Sequence, residues 1–274
     1  MRTWYLRQAL WLILLSFYGA SLATGAEVYV LRFRTDVMYF DPPCLLVGWR
    51  DELLFRNVTS GDVTVRNLST TSGAANPPGP LVIPAGRTVS TLADGNISRL
   101  GGDPFGFQLL VNRLDVPDGV VLASRAGLYG PPATCPSAPP ATVHEFGSFP
   151  LPVFRSLVPA GQPQVHLATD LGVHRRHSNV IIYNAGATAA TARIEVRVGC
   201  NDSLLQTILV GIGSGAVTQV GGIRDDPSAT TCLGGGLTTD FTRYMVVTVD
   251  QPSFSHVLTV SDEFRTPTIG VTSP

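Results

Sequence analysis

Apolar and polar residues alternate along most of this chain with a period of two. Val63 and Val65 alternate with Asp62, Thr64 and Arg66, and Ile194, Val196 and Val198 alternate with Arg193, Glu195 and Arg197. That period belongs to a strand with one buried and one solvated face. Further β-rich runs are Glu27–Arg34, Leu81–Ile83, Arg87–Leu92, Phe107–Leu114, Val120–Tyr129, Asn179–Tyr183, Leu204–Val210, Ala216–Val220, Arg243–Val249 and Ser255–Val260. Gly, Pro, Asn, Asp and Ser punctuate between them. With 28 Gly and 21 Pro, no convincing amphipathic helix survives beyond the N-terminus. Short strands at this spacing predict an all-β, antiparallel sandwich or barrel.

The pattern also occurs twice. Asn57 aligns with Asn184, and Val63-Thr64-Val65-Arg66 with Ile194-Glu195-Val196-Arg197. Ile83 and Gly86 align with Ile212 and Gly215. Leu109-Leu110-Val111 aligns with Met245-Val246-Val247, and Val121-Leu122 with Val257-Leu258. Five landmarks in one order predict two copies of one β-domain. Each copy begins its hairpin at the Asn; in Asn184-Ala185-Gly186 both Asn and Gly suit a left-handed exit. A Pro-rich stretch from Gly130 to Pro152 separates the copies, and proline favours extended, semi-stiff backbone. The expected organisation is a signal peptide over 1–26, one β-sandwich domain over 27–130, a linker over 131–152 and a second β-sandwich domain over 153–274.

The leader assignment rests on Arg2 and Arg7, followed by the apolar run Ala9–Tyr18 and small residues allowing cleavage after Ala23 or Ala26. That run is too short to span a bilayer. No later stretch is long and apolar enough, so the mature chain is expected to be exported, extracellular or periplasmic, with no membrane span after cleavage. All 19 basic residues are Arg, a bias that favours a GC-rich bacterial source. Net charge is −1, which gives no basic field for nucleic acid. Export makes Cys44, Cys135, Cys200 and Cys232 candidates for disulfides. Four cysteines allow three connectivities; the domain division favours Cys44–Cys135 and Cys200–Cys232.

The segments "RHSNVIIYNAG", "ATARIEVRV" and "RYMVVTVD" in the second copy, with "WRDELLFRN", "LVIPAGRTV" and "SRAGLYGPP" in the first, carry a resemblance. The chain resembles a family of uncharacterised exported bacterial proteins with tandem Ig-like or fibronectin-like β-sandwiches. The resemblance implies two tandem antiparallel Ig-like sandwiches and no catalytic residue set.

Candidate chemistry is sparse. The densest polar cluster is "VHLATDLGVHRRHS", with His166, Asp170, His174, Arg175, Arg176 and His177. Three His and an Asp have ligand chemistry, but two adjacent Arg oppose a cation and no HExxH frame is present. It reads as a loop before a strand, suited to binding a partner. Ser214 lies in "GIGSGA", a turn without the G-x-S-x-G spacing of a nucleophile elbow. Asp225-Asp226 lack a calcium-loop frame, and "LGGGL" lacks the Lys and helix of a phosphate loop. The sequons at Asn57, Asn67, Asn96 and Asn201 read as turn chemistry. Arg50 and Arg176 read as strand-flanking residues packed along their stems.

These features predict no catalytic residue, cofactor or metal. They predict a structural, adhesive or partner-binding role, with an unknown protein or surface as partner. A two-domain periplasmic chaperone-like assembly factor is the alternative, and a secreted hydrolase built on the histidine cluster is a weaker one.

Overall fold

The computed structural model describes residues 26–35, 39–41, 45–71, 80–90, 107–130, 144–168, 176–198, 202–223, 243–261 and 267–269. These residues form strands and turns, and no helix occurs among them. The N-terminal half holds β1 (Ala26–Thr35), β2 (Tyr39–Asp41), β3 (Leu45–Asn57), β4 (Val63–Thr70), β5 (Leu81–Ile83), β6 (Thr88–Ser90), β7 (Phe107–Val116), β8 (Val120–Gly130), β9 (His144–Leu151) and β10 (Val153–Phe154). The C-terminal half holds β11 (Pro163–Ala168), β12 (Arg176–Asn184), β13 (Ala190–Val198), β14 (Leu204–Ile212), β15 (Val217–Ile223), β16 (Arg243–Val249), β17 (Ser253–Ser261) and β18 (Pro267–Ile269). Every pairing between them is antiparallel.

The period-two pattern decides what is buried. Val28 and Val30 of β1, Leu53 and Phe55 of β3, and Leu114 and Val116 of β7 project into the N-terminal core. Val180 and Ile182 of β12, Ala192 and Ile194 of β13, and Met245 and Val247 of β16 fill the C-terminal one. Burial of each of the larger of these side chains contributes roughly 1.5–3 kcal/mol.

The two halves repeat one strand order. The C-terminal half has two four-stranded sheets, β11-β16-β13-β14 and β15-β12-β17-β18. The N-terminal half has the corresponding rows β1-β7-β4-β5 and β6-β3-β8-β9, joined into one sheet by the single β1–β3 pair Arg34↔Arg50. Three of the sequence alignments need correction. Val63 faces Ile83 and Ala190 faces Ile212, so Val63 corresponds to Ala190, four residues before Ile194, a slip that keeps the same face. Asn57 faces Val120 and Asn184 faces Ser253, so Val120 corresponds to Ser253. The three-residue β7–β8 and β16–β17 turns then bring Val116 onto Val249 and Leu114 onto Val247. Aligning Leu109-Leu110-Val111 with Met245-Val246-Val247, or Val121-Leu122 with Val257-Leu258, is out by an odd number of residues. Such a slip sends every side chain to the wrong face.

Asn57 and Asn184 do the same work in each half, but not through a left-handed backbone. Neither has positive φ, nor does Gly186. Each is a fully buried side chain that ties its own turn to the end of a second hairpin. Asn57 Nδ2 donates to Gly61 O at 2.7 Å and Ile83 O at 3.0 Å, and its Oδ1 accepts from Thr59 N at 2.9 Å. Asn184 Nδ2 donates to Thr188 O at 2.8 Å and Gly213 O at 3.0 Å, and its Oδ1 accepts from Gly186 N at 2.8 Å. Gly186 leaves little room for a side chain: a Cβ there would lie 2.9 Å from Gln251 Cβ and 3.0 Å from Asn184 Oδ1. Positive φ is used one turn on, at Gly86 and Gly215, both at 63°.

The stretch read as a linker is partly sheet. Residues 131–143 lie outside the described residues, but β9 pairs with β8 from Gly130↔His144 to Ser124↔Leu151. Pro150 is accommodated because β9 is an edge strand, where a missing N–H costs no ladder bond. β10 then crosses to β1, pairing Tyr29↔Phe154 and Val30↔Val153.

A third core joins the halves. Tyr29 and Leu31 of β1 and Val111 of β7 share it with Ile181 and Tyr183 of β12 and Phe254 and Leu258 of β17. Phe154 stacks on Phe254 with centroids 3.9 Å apart, and Tyr183 lies 5.1 Å from Phe254 and 5.8 Å from Tyr29. Each aromatic pair adds about 0.5–1.5 kcal/mol beyond burial. Tyr29 Oη donates to Glu27 Oε1 at 2.6 Å, and Arg113 Nε pairs with the same oxygen at 2.7 Å. Burial and then Glu27 push the Tyr29 phenol up to about 12, while Arg113 and Tyr29 lower the Glu27 carboxyl.

Candidate functional site

The described residues of the polar cluster lie on two different strands. His166 is not in a loop: it sits in β11 at 3 % exposure. Arg176 and His177 belong to β12, opposite Ser261 and Val260 of β17. Asp170, His174 and Arg175 lie outside the described residues. Arg50 and Arg176 fall inside strands, not before them. Cys44, Cys135, Cys200 and Cys232 lie outside the described residues, as do Asp225, Asp226, Asn96, Asn201 and the three glycines of "LGGGL", Gly234, Gly235 and Gly236.

β11 (PQVHLA) alternates in the reverse sense to the other strands. Its polar side chains Gln164 and His166 turn inward and its apolar ones, Val165 and Leu167, turn outward. Inside, Gln164 Oε1 accepts from Ser255 N at 2.6 Å and from Ser255 Oγ at 2.9 Å, while Gln164 Nε2 donates to Ser253 Oγ at 3.1 Å. His166 Nε2 lies 2.6 Å from Ser255 Oγ. Since the serine proton goes to Gln164, His166 donates through Nε2–H, and Nδ1 keeps a bare lone pair. Burial brings the His166 imidazole down to about 4, so it is neutral at pH 7.

A Ser–His contact is the raw material of nucleophilic catalysis, which requires the histidine to accept the serine proton. Here the proton runs the other way, and Ser255 is 1 % exposed. The network fastens the edge strand β11 to β17 across the sandwich. His256, on the outer face of β17 opposite Ile181, is also buried, and neither ring nitrogen has a partner among the described residues. Burial and then the nearby His166 push it down to about 3.

The N-terminal half buries charge inside its own sheets. Arg32 shares the inward parity of Val28 and Val30 and pairs with Asp51 inside the sandwich. Asn112 Oδ1 accepts from Arg32 Nη1 at 3.3 Å, and Asn112 Nδ2 donates to Thr70 Oγ1 at 2.8 Å. Sequence reasoning missed this pair, although Arg32 at an inward position of the Glu27–Arg34 alternation was a usable signal. Of the sequons, Asn57 is buried with its Oδ1 also accepting from Thr59 Oγ1 at 2.7 Å, and Asn67 is tied to Asn112. Ser214 is a turn residue whose hydroxyl donates to Gly186 O at 2.8 Å.

No group of three His, Cys, Asp or Glu side chains among the described residues is placed to hold a metal ion. No helix among them is long and apolar enough to cross a membrane. What the C-terminal half does present is an apolar outer face: Val165 and Leu167 are 44 % and 42 % exposed. They lie beside Val246 and Tyr244 of β16. On the neighbouring β13, Glu195 is held between Arg193 and Arg197. Compared with protein-family models, curated proteins and solved structures, the chain matches none.

Proposed function

We propose that this chain is an exported, non-enzymatic protein of two tandem Ig-like β-sandwich modules with a structural or partner-binding role, akin to exported bacterial tandem-sandwich proteins. One observation carries the reading: β11 turns its chemistry inward and its apolar side chains outward. His166 and Ser255 are spent on fastening strands, while Val165 and Leu167 face solvent, where an apolar patch serves recognition. The buried Asn corners and shared aromatic core fit a rigid scaffold better than a machine with moving parts.

The test has two arms. The protein is expressed with its leader in a bacterial host, the cells are fractionated, and the product is sequenced from its N-terminus. Recovery outside the cytoplasm, starting at Thr24 or Glu27, supports export; an intact leader on cell-retained protein overturns it. Purified protein is then assayed on chromogenic ester, amide and glycoside substrates. No turnover above buffer is expected, and turnover abolished by Ser255→Ala would establish a hydrolase instead.

A further inference from the structure

The contact between the halves joins two unlike faces. The C-terminal half contributes the outer face of β12 and β17, a donating face with Ile181, Tyr183 and Phe254. The N-terminal half contributes the outer face of β1 and β7, a receiving face with Tyr29, Leu31 and Val111. Because the strand order repeats, each half carries both kinds of face, and one of each is left over.

The free receiving face is on the C-terminal half. In the β1–β7 ladder Leu31 opposes Val111 and Tyr29 opposes Arg113. Counting back from the equal turns after β7 and β16, these positions become Leu167 opposite Tyr244 and Val165 opposite Val246. Tyr29 and Leu31 are 8 % and 0 % exposed under the second half, whereas Val165 and Leu167 lie open. The free donating face is on the N-terminal half. Counting from Asn57 and Asn184, Leu54 stands where Ile181 stands, and Val58 where Ala185 packs into the shared core. Val121 stands where Phe254 stands, while Arg56 takes the place of Tyr183 and Arg125 that of Leu258. Val58 is 53 % exposed.

We propose that the free receiving face binds the free donating face of a second copy of this chain, repeating between molecules the packing that already joins the halves. An interface between unlike faces does not close on itself unless a rotation brings it round, so assembly proceeds head to tail into open chains. The inference rests on the structural role proposed above and names its partner. The apolar patch on β11 is then the growing end of a fibre-like array.

Sedimentation of the mature protein over a wide concentration range tests it with two variants. Leu167→Asp puts a charge on the receiving face, and Val58→Asp puts one on the donating face. Both are exposed positions, and unchanged circular dichroism checks the fold. The wild type is expected to show a mass-average weight that rises continuously past the dimer. Each variant alone should associate at least about tenfold more weakly, since an unpaired charge is costly in an apolar contact. An equimolar mixture should stop at a dimer, because one variant retains the donating face and the other the receiving face. A wild type that stays monomeric at every concentration overturns the proposal, as does one that stops at a closed dimer, or a mixture that stays monomeric. Absence of association would leave the exported, non-enzymatic reading standing, while substrate turnover would remove that reading and leave the assembly intact.

Discussion

Acid should loosen this protein well above the pH at which carboxylates protonate. His166 and His256 are buried and neutral, brought down to about 4 and about 3 from an ordinary value of 6.5. The folded state therefore rejects a proton that the unfolded chain accepts below 6.5. The stability they contribute is whole above that value and drains away as pH falls toward 4 and 3. At pH 5 an unfolded histidine binds its proton with a free energy of about 2 kcal/mol, from a slope of about 1.4 kcal/mol per pH unit. Two such groups remove about 4 kcal/mol between pH 8 and pH 5, a large share of the roughly 5–15 kcal/mol typical of a folded domain. Glu27, whose carboxyl is lowered from 4.5 by Arg113 and Tyr29, loses its contribution only at lower pH, so it leaves this window clear. Urea unfolding at intervals from pH 8 to pH 5 measures the slope. The double variant His166→Gln, His256→Leu should flatten it, because the glutamine amide can still donate to Ser255 Oγ and the leucine suits the apolar face beside Ile181. An identical slope in wild type and double variant would refute the reasoning.

Other consequences are as direct. Asn184→Ala strips donors from the partly buried Thr188 and Gly213 carbonyls and should cost about 2–6 kcal/mol, summing penalties of about 1–3 kcal/mol for each unmet group. Chemical denaturation reads the loss, and Asn184→Asp should be no better because a carboxylate cannot donate. Asp51→Ala leaves the Arg32 guanidinium without its carboxylate in the core and should cost about 3–5 kcal/mol, whereas Arg32→Met with Asp51→Leu should recover most of it in the same assay. Phe254→Ala opens the core between the halves, where Phe254 is 1 % exposed, and should cost about 3–5 kcal/mol. Because that core is shared, the variant should lower the melting of both halves together in calorimetry. In a glycosylating host Asn57 should stay unmodified, which peptide mass spectrometry would show, since its amide is enclosed by its own turn.

Strands whose polar face meets water were legible from alternation alone, as Val63–Arg66 and Arg193–Val198 illustrate. Burial on both faces hides a strand's role: Asn179–Tyr183 reads as core, but alternation cannot say that Val180 and Ile182 fill one core while Ile181 and Tyr183 fill another. β11 escaped because its polar residues face in, and β9 because Gly147 and Pro150 look like linker. The repeat was visible in Asn57 and Asn184, whose chemistry is fixed by local geometry, but its register was misjudged where small apolar residues are interchangeable. The surface proposed to meet a partner takes Val165 and Leu167 from one end of the quoted polar cluster, where both are exposed. Charged residues draw attention as chemistry; two aliphatic residues on the wrong side of a short strand do not.

The crossing from β9 to β10 has a mechanical consequence. The chain leaves the N-terminal half lying along β1, with Phe154 pressed on Phe254, and Val158 then pairs with Ser253 of β17. Tension applied to the C-terminal half is thus delivered to β1 through the short β10 ladder and to the shared aromatic stack at once. The molecule should bear load as one spring, yielding in a single high-force step where two independently hinged modules would give a pair of weaker ones.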